Sequence, residues 1–309
     1  MGFLTSIFDI INVPLGYLFR YIYMVLQDYG WTIVVFTLIT KAILLPLTIK
    51  QQKSTAKMQA MQPKLQELQK KYQYDKEKLN QETMKLYQDS GVNPMGGCLP
   101  LLIQFPLLIA LYNIIRQPLN YVIQLGKHGL PNVEQVYEAL KGFGMNPESI
   151  KMVDQIGIAS KMSEFAAELA EKFPGAGFLN INFNSFGLNL AQYPNSAGVS
   201  WLLIIPVLAA ASTLLVSWLT TKMNGQPKSA NSDNPANSMQ MMTYIFPVMT
   251  FFFSYTMPAG LGFYWIISNL VQLLQQVIMK YCFPAKPSDE PARKNFRERE
   301  AEKAERRKK

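Results

Sequence analysis

The stretch IFPVMTFFFSYTMPAGLGFYWIISNLVQLLQQ, residues 245–276, decides the architecture. It holds two apolar runs separated only by Pro258, Ala259 and Gly260. A proline and a glycine so close together make a tight turn, so the two runs form a helical hairpin. Neither run contains Asp, Glu, Lys or Arg. Each approaches the ~20 apolar residues that a helix needs to cross a hydrocarbon core of ~30 Å. A helix pair of this kind belongs in a bilayer.

Three more runs of this kind lie upstream, at 29–49, 95–116 and 199–221, and the hairpin itself fills 239–280. Whole-chain averages conceal them: 49% of residues are hydrophobic and the mean hydropathy is only +0.04. The averages are low because charge is gathered into the connecting segments at 50–94, 117–198 and 222–238 and the tail at 281–309. Aromatic residues stand at several borders, among them Tyr29, Trp31, Trp201, Trp218 and Tyr281, as suits side chains that favour the headgroup zone. The expected fold is an all-α integral membrane protein with five transmembrane helices. An interfacial amphipathic helix over 1–28 precedes them, and a cytosolic helical hairpin fills 50–94.

For the first 28 residues, Phe3, Leu4, Ile7, Phe8, Ile10 and Ile11 make an apolar face interrupted by Asp9, Asn12 and Pro14. That pattern suits a helix lying in the interface. A sixth span is the alternative, and it leaves almost no loop before Tyr29. No Lys or Arg precedes Arg20 and no alanine precedes Ala42, so a cleaved signal peptide is not expected.

Charge sets the expected orientation. Residues 50–94 hold nine lysines against five acids, Lys222 and Lys228 follow the third run, and the tail from Lys280 holds eleven Lys and Arg. Residues 117–198 hold five lysines against seven acids. With five spans the three basic segments share one side, which the positive-inside rule makes the cytosol. The N-terminus is then outside and the C-terminus inside. The tail ends in Arg306, Arg307, Lys308 and Lys309. It reads either as an anchor on anionic lipid or as a contact for ribosomal RNA, whose phosphates attract such segments.

In the first basic segment, Met58, Met61, Leu65, Leu68 and Tyr72 recur at a coiled-coil spacing on a Lys- and Gln-rich surface. Around Gln73 and Tyr74 the chain turns, and Asp75 suits the cap of a second helix carrying Leu79, Thr83 and Leu86. Met58, Met61, Leu65 and Leu68 are candidate client or partner contacts, although mutual pairing is the favoured use of the stripe. The methionines Met223, Met239, Met241 and Met242 fall at the same border, where packing is the simpler account of them. In the outer segment, Val153, Ile156, Met162, Phe165 and Leu169 mark an amphipathic helix.

Catalytic material is scarce. His128 is the single histidine, and Cys98 and Cys282 are the two cysteines. The sequence argues against an enzyme and points to no cofactor or metal.

The informative residue is Lys41, inside WTIVVFTLITKAILLPL. At ~1.5 Å per residue it lies ~18 Å from Tyr29 and ~14 Å from Lys50. A lysine at that depth costs ~2.5–3.5 kcal/mol, so it should face a bundle interior or a watery cavity. Pro46 loosens the helix below it. By the same arithmetic Gln104 reaches a similar depth in the second span. Trp265, Asn269, Gln272 and Gln276 share one face of the fifth, Ser212, Thr213 and Ser217 add hydroxyls from the third, and Thr37 lies one turn from Lys41. These residues are the expected lining of a groove in the cytosolic half of the bilayer. A channel or transporter needs a polar path on both sides and commonly shows internal repeats. Neither is visible, and no acid lies in the spans to pair with Lys41.

Three stretches carry a resemblance to the YidC/Oxa/Alb family of membrane insertases. They are TLITKAILLPLTIKQQKS, NPMGGCLPLLIQFPLLIALYNII and the hairpin quoted above, including Tyr264-Trp265 and Ser268-Asn269. FLNINFNSFGLNLAQYP, Phe178–Pro194, resembles in diverged form the family's short stretch before the third span. The resemblance implies five spans, a cytosolic hairpin, and a hydrophilic groove open to cytosol and lipid. It also implies nascent membrane proteins as clients, the lipid bilayer as medium, work with or without the Sec translocon, and a bacterial cytoplasmic membrane. Two positions depart from the pattern: Lys41 stands where arginine is usual, which removes the five-donor fork, and Val216 and Ser217 stand where some members carry a groove glutamine. The segment 117–198 is too short for a large β-rich periplasmic domain, and the absence of an opening cysteine speaks against the lipoprotein form. If the tail meets ribosomal RNA, co-sedimentation of the solubilised protein with ribosomes is expected to fall steeply with added salt and to vanish on removal of 281–309.

Overall fold

The computed structural model describes residues 2–90, 99–148, 150–152, 154–196, 198, 200–223 and 235–282. Within these it carries no side-chain description at 2–8, 53, 55, 56, 58–60, 62, 99–104, 223, 235–244 and 279–282. The expected start of the second span at Met95, Cys98, Val153, Lys228 and the basic tail with Arg306, Arg307, Lys308 and Lys309 therefore lie outside the described residues. So do the side chains of Met58, Gln104, Met223, Met239, Met241 and Met242.

The helices are α1 (Gly2–Leu26), α2 (Tyr29–Ile43), α3 (Leu45–Ala60), α4 (Gln62–Lys71), α5 (Lys76–Asp89) and α6 (Leu99–Arg116), then α7 (Val133–Gly142), α8 (Gln155–Glu164) and α9 (Ala166–Lys172). After a two-stranded hairpin of β1 (Asn184–Ser185) and β2 (Leu188–Asn189) come α10 (Ile204–Met223), α11 (Pro235–Thr256) and α12 (Ala259–Cys282). Among the described residues, Trp201–Lys222 and Ala259–Ile278 are long and apolar enough to cross a membrane. A third is added if Tyr29–Ile43 and Leu45–Gln52 make one broken span. Phe105–Arg116 and Ile245–Thr256 are shorter apolar helices.

The run expected at 29–49 is thus two helices with a break at Leu44. Pro46 explains the break, because its ring clashes with the carbonyl four residues back and disfavours the helical conformation of the residue before it. The amphipathic stretch in the outer segment is likewise split, at Phe165, between α8 and α9.

The chain divides into two compact units. The first comprises Met1–Ile43, Ile103–Trp218 and Ser229–Leu273. Its core includes Phe19, Tyr29, Ile33, Phe36, Leu111, Ile114, Leu140, Ile158, Leu190 and Tyr264. Phe19 of α1 meets Tyr29 and Phe36 of α2 edge-on, with ring centroids 5.6 and 5.5 Å apart. A further contact of α1 is a π-helical turn, Leu119–Ile123. There the Arg20 guanidinium donates to the carbonyls of Val122 (2.7 Å) and Ile123 (2.8 Å). Gly16 permits the approach, since a Cβ there would stand 2.9 Å from the Tyr121 carbonyl oxygen.

On α1 the polar Asn12 lies inside and the apolar Ile10 outside. Ile10 is 73% exposed and Asn12 only 2%. The Asn12 amide donates to the Tyr121 hydroxyl (3.2 Å), which donates in turn to Asp9 (2.9 Å). Asn12, which interrupts the apolar face in the sequence, thus makes a tertiary contact.

Residues 178–195 tie the ends of three helices. Asp28 accepts from the Trp31 N–H (2.8 Å) and the Ser185 hydroxyl (2.9 Å), and that hydroxyl accepts from the Gly30 N–H (2.9 Å). Leu190 and Gln192 present carbonyls to the N–H groups of Gly260 and Ala259, each at 2.8 Å, and the Asn195 N–H reaches the Tyr255 carbonyl at 3.1 Å. Between Asn132 and Leu169, α7 opens with a reciprocal Asn132–Gln135 capping box, and Asp154 caps α8 through the Gly157 N–H.

The second unit comprises Leu44–Leu102, Leu219–Lys228 and Leu274–Lys309. In it α4 packs on α5, burying Met61, Leu65 and Leu86 with Leu68 and Tyr87 against them. Asp75 caps α5 by accepting from the Lys78 N–H at 3.0 Å. Arg20→Met removes two charge-assisted hydrogen bonds between α1 and the π-helical turn. It is expected to lower stability by about 2–4 kcal/mol, read as earlier thermal unfolding in detergent and faster proteolysis near Tyr121.

Candidate functional site

The buried residues of α2 include Ile33, Thr37 and Lys41, spaced four apart and therefore on one stripe. Lys41 is 8% exposed. Its neighbours on that face satisfy themselves: the Thr37 hydroxyl donates to the Ile33 carbonyl (2.6 Å), and Thr40 donates to Phe36 (2.8 Å) and Thr37 (3.1 Å). Such bonds back to the preceding turn leave these hydroxyls with no donor to spare. Lys41 makes no hydrogen bond or ion pair with a described residue. The other face of α2 exposes Trp31, Leu38 and Ile43. Its amphipathicity is inverted relative to a water-soluble helix, with the charge inside and the apolar surface outside.

The same inversion holds in α10 and α12. Val207, Leu208, Leu214, Leu215 and Trp218 of α10, and Leu270 and Leu274 of α12, are exposed, whereas Asn269 is buried. The Asn269 amide donates to the hydroxyls of Ser212 and Thr213, both at 2.9 Å. Both hydroxyls also donate to the Ala209 carbonyl (2.9 and 2.8 Å). In the second unit Gln276 donates to the Thr220 hydroxyl at 2.9 Å, and its own carbonyl oxygen is buried without a partner. Thr213–Asn269 and Thr220–Gln276 repeat the same offset in sequence, so α10 and α12 meet in parallel with polar layers seven residues apart. Seven is the coiled-coil repeat.

Of the residues expected to line a groove, Ser212, Thr213 and Asn269 are thus joined in one tie. Thr37 shares a stripe with Lys41. Gln272 and Ser217 are half-buried. Trp265, also half-buried, stacks on Phe253, with centroids 6.4 Å apart and planes 18° apart. Thr220 and Phe253 were not marked by the sequence, because each matters only through a partner on another helix. In the hairpin, Met61 and Leu65 face Leu86 with 6% and 8% exposure, so a client would have to displace that pairing to reach them. Among the described residues no group of three or more His, Cys, Asp and Glu is placed to hold a metal ion.

Fold and stripe define a mostly helical integral membrane protein with a buried cation. Comparison with known proteins narrows the class. Residues 21–286 match the family of the 60Kd inner membrane protein. A membrane protein insertase YidC of Fusobacterium nucleatum is 31% identical over 279 residues, which is 90% of this chain and 98% of that one. The YidC of Prosthecochloris aestuarii is 29% identical over 272 residues (88% of this chain, 34% of that one), and that of Treponema denticola 29% over 267 (86% and 36%). The chain spans nearly all of the first relative and about a third of the other two. A crystal structure of an active YidC insertase with its first transmembrane domain resolved aligns at a TM-score of 0.49 and 24% identity, over 87% of this chain and 46% of that one. The chain belongs to the YidC family of inner-membrane proteins.

Asn269→Leu removes both bonds to α10 yet leaves Ser212 and Thr213 bonded to Ala209. The expected loss is about 1 kcal/mol, since hydrogen bonds between membrane helices average ~0.6 kcal/mol each. A double-mutant cycle with Thr213→Val, followed by unfolding in mixed micelles, measures it.

Proposed function

We propose that this chain is a membrane protein insertase, passing hydrophobic segments of nascent membrane proteins from cytosol to bilayer. The observation that carries the reading is Lys41: a cation on the buried face of an apolar helix, with no described acid or acceptor bound to it. A charge kept inside at a cost of ~2.5–3.5 kcal/mol is poorly explained by stability. It is well explained by a partner that arrives transiently and carries negative or polar groups. The names of the relatives point the same way.

In this reading Lys41 lies in a hydrophilic groove open to the cytosol, with Gln104, Gln272 and Trp265 as further lining. Asn269, Ser212 and Thr213 hold the groove's wall. Five spans put the N-terminus outside and the C-terminus in the cytosol, and the α4–α5 hairpin stands on the cytosolic side. An emerging client meets the hairpin first, Lys41 draws its acidic or polar flank inward, and lipid burial of the apolar segment completes the transfer. Each fully buried apolar side chain contributes ~1.5–3 kcal/mol, enough over one span without a nucleotide. The Sec translocon, and the ribosome through the basic tail, are the partners this scheme accommodates.

The test is reconstitution in protein-free liposomes, with protease protection of a single-span client bearing an acidic outer tail. Protection well above empty liposomes is expected without ATP. Lys41→Ala is expected to lose most of it and Lys41→Arg to keep most of it, while a client with a neutral tail is affected less. Unchanged protection in Lys41→Ala would remove the electrostatic step. Lys41→Met is expected to raise unfolding stability in the same liposomes by about 2–3 kcal/mol, read from the denaturant midpoint.

A further inference from the structure

The β1–β2 hairpin closes through Phe186 and Gly187, both in the left-handed region (φ 54° and 73°). Two-residue turns of this kind take Asn-Gly or Asp-Gly by preference. A bulky residue there is an outlier, and sparsely populated backbone costs on the order of 1–3 kcal/mol, kept where surroundings or function demand it. Phe186 does not recover this by entering the core, because it is 54% exposed. Its ring lies between Trp31, at a centroid distance of 5.7 Å, and Phe263, at 5.4 Å. Trp31 is itself 52% exposed. Three segments distant in sequence therefore present one partly exposed aromatic cluster.

The position of the cluster identifies its partner. Trp31 stands in the first turn of α2 and Phe263 in the second turn of α12. Further along these helices the exposed side chains are apolar, Leu38 on α2 and Leu270 and Leu274 on α12. Leu38 lies ~10 Å beyond Trp31 at ~1.5 Å per residue. Before the helix starts the chain is polar, with Asp28, Asn184 and Asn189 beside the turn. Trp201, 83% exposed, stands in the short 3-10 turn that leads into the matching end of α10. Rings at a boundary between polar loop and apolar helix surface suit the headgroup region, where an aromatic body and a polar edge are both solvated.

We propose that Phe186, with Trp31 and Phe263, forms an aromatic anchor that enters the headgroup–acyl boundary and pins the Phe178–Pro194 segment to the membrane surface. The anchor holds down the segment that binds the first turns of α2 and α12. It stands on the fold and on membrane residence, and does not depend on the insertase reading.

The experiment uses the full chain with Trp201, Trp218 and Trp265 replaced by Phe, so that Trp31 is the only tryptophan. It is reconstituted in phosphatidylcholine liposomes brominated near the headgroup, at mid-chain or near the chain end. Strongest quenching by the shallow bromine, with weak quenching by aqueous acrylamide, is expected. Strong acrylamide quenching without bromine quenching, or a maximum at the chain end, overturns the proposal. Phe186→Asn separates an anchor from a mere turn, because Asn suits the left-handed backbone better. An anchor loses shallow quenching of Trp31 in that variant, whereas unchanged quenching with higher stability overturns it. If the triple replacement does not fold, the same signal is the difference between the unmodified chain and Trp31→Phe.

Discussion

The first backbone N–H groups of a helix and its last carbonyls have no partner inside the helix, and a membrane offers few others. In the first unit the segment Phe183–Asn195 supplies them. Its Ser185 hydroxyl and its Leu190 and Gln192 carbonyls take the N–H groups of Gly30, Gly260 and Ala259, and its own Asn195 N–H takes the Tyr255 carbonyl. One short segment thus takes a backbone group at the start of α2, one at the end of α11 and two at the start of α12. Gly30 makes this possible, since a Cβ there would stand 2.7 Å from the Ser185 Cβ.

The helices also carry an inverted surface. Lipid-facing positions gain nothing from polarity, so the apolar residues of α2, α10 and α12 lie outside and the polar ones meet within the protein. Most of the inner polar groups then satisfy each other, the threonines against their own helix and Asn269 against Ser212 and Thr213. Lys41 differs from them, and among the described residues Asn12 Oδ1, Ser254 Oγ and the Gln276 carbonyl oxygen are further, uncharged cases. Groups that resist internal pairing are where a membrane protein gives up stability for function.

The α4–α5 hairpin is stabilised differently. Its helices have 10 and 14 residues, about the length at which an isolated helix is marginal in water, and its core is the small cluster around Met61, Leu65 and Leu86. So little apolar burial puts it at the low end of local stability. That suits an element proposed to meet clients of varied sequence, because opening its seam exposes flexible apolar side chains at small cost.

The sequence by itself determined what depends on local order along the chain. The apolar runs, the turn at Pro258 and the cap at Asp75 follow from residue type and spacing, because helix geometry converts sequence separation directly into distance; the loosening expected at Pro46 is in the structure a full break between α2 and α3. The family was legible for the same reason, being carried by contiguous motifs. What only the tertiary structure decided is which groups meet across helices. Asn12 is buried because the Tyr121 hydroxyl lies where its amide can reach it. Asn269 is occupied by α10, and Phe186 finds Trp31 and Phe263, through contacts between residues dozens to more than a hundred positions apart. No periodicity records such pairs, because each is set by how whole elements dock.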